Sequence, residues 1–258
     1  MKIILGGYLF IILLGTFLLA LPVATRGVGS TGISDCFFTA TSATCVTGLI
    51  RFDTATHWTL FGQLVILAMI QIGGVGFMTV AIIVMVLAGK KIGLSQRSLM
   101  QNSISAPQIG GIVRMARFIA LGTGTVELVG AILLSFDFIP RFGVGKGIYY
   151  AIFHSVSAFC NGGFDLMGGE TGHFSSLTGM AGNWYVCVVI ELLIFVGGLG
   201  FFVWSDLRVR KFCLRRLALQ SKMVLSISVG LVILGAATFL LLEWNQPLYA
   251  GLSVGERI

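Results

Sequence analysis

Two short stretches hold the residues best suited to guide an ion. Cys45, Val46, Thr47 and Gly48 close the segment FFTATSATCVTGL (37–49). Cys160, Asn161, Gly162 and Gly163 close IFHSVSAFCNGGF (152–164). Aligned on Phe38 and Phe153, the stretches share Ser42/Ser157, Ala43/Ala158, Cys45/Cys160 and Gly48/Gly163. An ion entering hydrocarbon needs oxygen ligands in place of its hydration shell, and main-chain carbonyls supply them in cation filters. Aiming several successive carbonyls at one axis demands unusual dihedrals, which glycine adopts without steric cost. Neither CVTG nor CNGG carries a carboxylate, whereas a calcium or general cation site favours a ring of Asp or Glu. Both sets of residues are therefore read as a carbonyl-lined cation path.

Such a path needs a scaffold at membrane depth, and the apolar runs provide it. Ile3–Leu21, Leu60–Ala88, Ile112–Phe136, Trp184–Trp204 and Met223–Leu242 are each about 20 residues or longer, enough to span a bilayer. The first run exceeds the roughly 7–15 residues of a signal-peptide core, so it is read as a retained span. Trp184, Tyr185 and Trp204 bracket the fourth run as interfacial aromatics do. Ser34–Cys45 and Gly147–Cys160 lie between spans and are too short to cross. Charge decides what they do. Lys90, Lys91, Arg97, Arg114 and Arg117 form one basic cluster; Arg208, Arg210, Lys211, Arg215, Arg216 and Lys222 form another. Both clusters and Lys2 fall on the cytoplasmic side only if each short segment dips in and returns. The short segments are thus predicted to be half-helices followed by a returning strand. Non-helical backbone at that depth must be buried in protein or line a watery cavity. Ser34 is the expected N-cap and Asp35 a first-turn acid of the first half-helix, whose C-terminal end favours a cation.

Composition excludes other classes. The 258 residues are 56% hydrophobic and 10% charged, too few charges for a soluble surface. The net charge of +7 follows from the two basic clusters, so topology explains it and no nucleic-acid partner is expected. The cysteines at 36, 45, 160, 187 and 213 show no C-x-x-C and no metal-ligand spacing with histidine. No nucleophile–base pair stands out, and the chain is not expected to be an enzyme. Glu127 and Glu191 fall inside spans, where carboxylates are expensive. Glu127 is read as either an inter-helix anchor, with Thr123 and Thr125 as partners, or a contributor to the path. Glu191 is read as structural and His154 as a packed core residue. Asp165 is either a cation-concentrating acid or a solvated loop acid.

The repetition extends into the next span. IQIGGVGF (70–77) matches IFVGGLGF (194–201). The GGxG clusters are read as sites of close helix approach, with a bend as the alternative. The unit is span, pore helix, glycine-containing return and span (M1-P-M2). It divides the chain into a first repeat at 1–95, a second at 96–215 and the first helix of a third at 216–258.

This pattern resembles the Trk/Ktr/HKT superfamily of potassium transporters, most nearly the bacterial KtrB-type membrane subunit. TATSATCVTGL is similar to its first pore segment, SVSAFCNGGF to its second and IQIGGVGF to its first outgoing helix. The resemblance runs along the whole chain. It implies an all-α polytopic membrane protein of tandem M1-P-M2 repeats with re-entrant selectivity-filter loops. It implies four such repeats around one pore, each giving one key glycine; by position, Gly48 and Gly163 are two of them. It further implies K+ as the transported ion, Na+ as a coupling or activating ion and no covalently bound cofactor. The implied partners are membrane lipid, a second copy in a homodimer and a cytoplasmic nucleotide-binding gating ring of the KtrA type. The expected location is the plasma membrane, multi-pass, with a cytoplasmic N-terminus. Two of the four repeats are present, so the chain is expected to be the N-terminal half of such a subunit. A complete two-pore-domain channel acting as a dimer and a non-conducting membrane fragment or scaffold are the alternatives.

Overall fold

The computed structural model describes residues 2–27, 31–76, 79–80, 112–211 and 213–243. The helices are α1 (Lys2–Leu19), α2 (Ile33–Thr44), α3 (Thr54–His57), α4 (Leu60–Val75), α5 (Ile112–Phe142), α6 (Val144–Phe159), α7 (Trp184–Gly198), α8 (Phe201–Val209) and α9 (Leu219–Glu243). Among the described residues no strand forms; Thr25 and Trp58 make an isolated antiparallel bridge. The returns from α2 and α6 are therefore irregular chain rather than strands in a ladder.

Length sorts the helices. Arg114–Phe142 and Leu219–Leu242 are long and apolar enough to cross a membrane; α7 and α8 reach that length only if taken together. α2 has 12 residues and α6 has 16, about 18 and 24 Å of helix, against a hydrocarbon core of about 30 Å.

Several boundaries differ from the sequence reading. α5 continues past Phe136 to Phe142 through Pro140. A proline this close to the end removes only one helical hydrogen bond, and an Asp137–Arg141 ion pair of 2.8 Å spans the last turn. The run Trp184–Trp204 is not one helix; it breaks at Leu199–Gly200, where Gly200 takes φ +81°. Gly32, not Ser34, is the N-cap of α2, with no side-chain cap. Ser34 instead donates to Asp35 Oδ1 at 3.4 Å within the first turn, and Asp35 pairs with Arg51 at 2.6 Å. The end of the run Leu60–Ala88, the basic residues Lys90, Lys91 and Arg97, and the segment after Glu243 lie outside the described residues.

The chain divides into two units: residues 1–180 with 185–198, and residues 181–184 with 199–258. In the first, α1 packs on α2 and α4, α5 packs on α6, and α4 touches α6. Leu19, Ile66, Ile70, Leu134, Phe138 and Phe153 are fully enclosed at these seams. Small residues let the backbones close: Gly130 faces Ser155 Oγ and Leu193, and Gly147 faces the backbone of Phe138 and Ile139. In the second unit, α8 packs on α9. There Asp206 accepts from Ala218 N–H at 2.8 Å and pairs with Arg210 at 2.9 Å.

Candidate ion path

The two short helices end alike. Cys45 caps α2 at φ −86°, ψ 0°, and Cys160 caps α6 at φ −73°, ψ −5°. The next residues, Val46 and Asn161, are left-handed at φ +57° and +58°. Val46 N–H then donates to Ala43 O and Thr47 N–H to Ser42 O; Asn161 N–H donates to Ala158 O and Gly162 N–H to Ser157 O. This 5→2 and 6→1 pairing is a Schellman motif in both places. Glycine or asparagine normally occupies its left-handed position. Asn161 conforms, whereas Val46 is β-branched and is strained there, as residues at functional sites often are.

The motif turns these N–H groups back onto their own helix. Two residues further on, Gly48 and Gly163 are left-handed again, at φ +72° and +70°. Left-handed and ordinary residues thus alternate over 46–48 and over 161–163, an arrangement that lets successive carbonyls face one side. Among the described residues, no hydrogen bond ends on the carbonyls of Cys45–Gly48 or Cys160–Gly163.

The two segments also meet. A Cβ placed on Gly48 would lie 3.1 Å from both Gly162 O and Gly163 Cα, and one on Gly163 would lie 3.0 Å from Gly48 Cα. Gly48 and Gly163 face each other so closely that an added Cβ on either would have to push the facing backbone by a few tenths of an ångström. All eight predicted residues, Cys45 to Gly48 and Cys160 to Gly163, therefore sit in two like-shaped segments joined at their glycines.

The GGxG glycines seat these segments. A Cβ on Gly73 would lie 2.2 Å from Thr44 O, and one on Gly197 would lie 1.8 Å from Phe159 O. In each case the last carbonyl of the short helix occupies the glycine's face. Gly74 in turn accommodates Cys160, with 2.5 Å between its added Cβ and Sγ. The close approach is thus of each GGxG helix to the C-terminal end of a short helix. Of the final glycines, Gly76 at φ +87° is the C-cap of α4, whereas Gly200 at φ +81° is the N-cap of α8.

Gln71 Nε2 donates to Glu127 Oε2 at 3.2 Å, and Cys160 Sγ lies 3.9 Å from Glu127 Oε1 and 3.8 Å from Gln71 Oε1. Glu127 thus stands behind the second segment, held by Gln71 and Cys160 rather than by Thr123 or Thr125. Thr125 instead donates to Leu121 O. His154 is 2% exposed; its Nδ1 donates to Tyr150 O at 2.7 Å and its Nε2 accepts from Leu166 N–H at 3.3 Å. It is the packed core residue expected. Asp165 accepts from Met167 N–H and Ser176 Oγ. Glu191 is exposed, and its carboxylate makes no hydrogen bond among the described residues.

Sequence reasoning did not single out Gln71 or Asp53. Asp53 caps α3, accepting at Oδ1 from Ala55 N–H, Thr56 N–H and Thr56 Oγ, while Oδ2 accepts from Phe174 N–H. The string Asp-Thr-Ala-Thr is a helix-start signal, but its distant partner leaves no local trace.

Among the described residues no cluster of His, Cys, Asp and Glu could hold a metal ion in the manner of a resident cofactor. The candidate cation contacts are instead main-chain oxygens on α-helical scaffolding. The family model described as TrkH, cation transport protein, matches residues 10–244, and the chain belongs to that family. It is 41% identical over 248 residues to the potassium/sodium uptake protein NtpJ of Enterococcus hirae, covering 95% of this chain and 52% of that protein. It is 38% identical over 242 residues to the Ktr system potassium uptake protein B of Bacillus subtilis, covering 93% and 52% respectively. The protein of the same name from Vibrio alginolyticus is 33% identical over 247 residues, covering 95% and 52%. The chain spans about half the length of these relatives, at 52% of each.

Proposed function

We propose that the chain provides two carbonyl-lined segments of a potassium-uptake pore in the plasma membrane, with Cys45–Gly48 and Cys160–Gly163 as its filter strands. The observation that carries this reading is the paired geometry: two like Schellman-ended helices whose left-handed glycines face each other. Helix C-termini there direct partial negative charge toward a cation. The relatives named for potassium and potassium/sodium uptake support K+ as the cargo, with Na+ as coupling or activating ion. The short lengths of α2 and α6 support re-entrant segments, each the pore helix of an M1-P-M2 repeat, at 1–95 and 96–215, with a third begun at 216–258. Positive-inside charge supports a cytoplasmic N-terminus. The same basic loops suit docking of a nucleotide-binding ring of the KtrA type, and the working assembly is a homodimer in lipid.

The test is rubidium-86 uptake by a bacterial strain stripped of its own potassium uptake and expressing the native gene. Growth and uptake at low external potassium are expected. Expression in the membrane without uptake, alone and with a KtrA-type ring supplied, sinks the transport reading.

A further inference from the structure

Asp53 is 5% exposed, yet among the described residues no lysine or arginine pairs with it. Its carboxylate is satisfied by donors from two distant loops. Oδ1 holds the start of α3, with Ala55 N–H at 3.0 Å, Thr56 N–H at 2.9 Å and Thr56 Oγ at 3.0 Å. Oδ2 holds the loop after the second segment through Phe174 N–H at 3.0 Å, 121 residues away. Phe174 is left-handed at φ +58°, a costly conformation for a bulky residue, retained where its N–H meets this carboxylate. Thr56 Oγ also lies 3.2 Å from His173 Nδ1 in the same loop. Gly168 fits against the carboxylate so closely that an added Cβ would be 1.8 Å from Oδ2 and 2.2 Å from Cγ.

The register is informative. Asp53 follows Gly48 by the same interval as Gly168 follows Gly163. The two segments that touch at Gly48 and Gly163 touch again at Asp53 and Gly168. A second fixed point sets how far apart the first can open. We propose that Asp53 is a positioning residue for ion selectivity: it clasps the loop after the first segment to the loop after the second and so fixes the spacing of Gly48 from Gly163. The proposal rests on the transport reading and goes beyond it, because Asp53 touches no ion.

The experiment measures rubidium-86 uptake and its inhibition by sodium in the native protein, for wild type, Asp53→Asn, Gly168→Ala, Asp53→Ala and the Asp53→Ala/Gly168→Ala double variant. Asparagine puts an N–H₂ donor where one carboxylate oxygen had accepted, and the alanine methyl pushes the carboxylate off its donors. Both single changes are expected to lower rubidium-over-sodium selectivity about tenfold or more, the scale of losing a charge-assisted hydrogen bond. In the double variant the methyl meets no carboxylate, so selectivity should match Asp53→Ala alone. A variant that merely folds poorly lowers uptake and leaves the ratio unchanged; that outcome overturns the proposal. So does a double variant worse than Asp53→Ala by the full Gly168→Ala factor. Wild type that takes up no rubidium overturns the transport reading, and this role with it.

Discussion

A side chain at Gly48 or Gly163 meets two separate obstacles. The first is local: a non-glycine residue at φ near +70° costs roughly 1–2 kcal/mol. The second is across the path: the added Cβ falls 3.1 Å from Gly163 Cα in one case and 3.0 Å from Gly48 Cα in the other. Gly48→Ser and Gly163→Ser therefore push on the same contact from opposite sides. Each is expected to weaken selectivity for potassium over sodium, read as sodium inhibition of rubidium-86 uptake. Selectivity equal to wild type in both variants counts against these residues as filter positions. Strain alone does not identify them, since Val46 tolerates φ +57° with a β-branched side chain. What separates the glycines is strain combined with a facing backbone.

At the scale of the element, adjacent glycines on α7 do different work. Gly197 receives the Phe159 carbonyl, 1.8 Å from an added Cβ, whereas at Gly198 the nearest atom is Asn161 Nδ2 at 3.8 Å. Gly197→Ala is expected to destabilise by about 1–3 kcal/mol through overpacking. Gly198→Ala is expected to be neutral or to gain up to about 1 kcal/mol of helix propensity. Thermal unfolding of the detergent-purified variants compares them directly, and equal midpoints would remove the seating role from Gly197. These glycines also show what the sequence could disclose. The duplicated GGxG strings and apolar runs were legible because membrane spans and small-residue contacts write themselves as local pattern. The break at Gly200 was not, because a glycine that bends a helix and one that seats a neighbour look the same in an apolar string. The displaced N-cap at Gly32 has a similar cause: Ser34 is a good cap by type but lies one turn-position inside the helix. Asp53 was invisible for a different reason, since its decisive partner is 121 residues away.

Across the whole chain, the loop after the first segment carries two groups that titrate, of which Asp53 ties it to the loop after the second. Burial raises the Asp53 carboxyl, but hydrogen bonds from Phe174, Thr56 and Ala55 outweigh it and hold it below the usual carboxylate range. Burial lowers His57, only partly opposed by the Asp35 carboxylate. His57 stacks on Phe52 at 4.1 Å between ring centroids and lies 2.8 Å from Thr31 Oγ. The signs run the same way for both groups. A lowered His57 contributes stability that is full above its unfolded value of about 6.5 and is lost as pH falls below it. A lowered Asp53 contributes stability that is full above about 3.9 and is lost as pH falls through its folded value. The protein is therefore expected to lose stability on acidification in two steps, the first beginning near pH 6.5 and the second near pH 4. Denaturation midpoints measured in detergent between pH 8 and 3 resolve them. His57→Gln should diminish the first step and spare the second, and Asp53→Asn should diminish the second and spare the first. A wild-type profile that is flat from pH 8 to 5 rules out the His57 contribution. A first step undiminished by His57→Gln assigns it to another group and leaves the Asp53 clasp as the acid-sensitive tie.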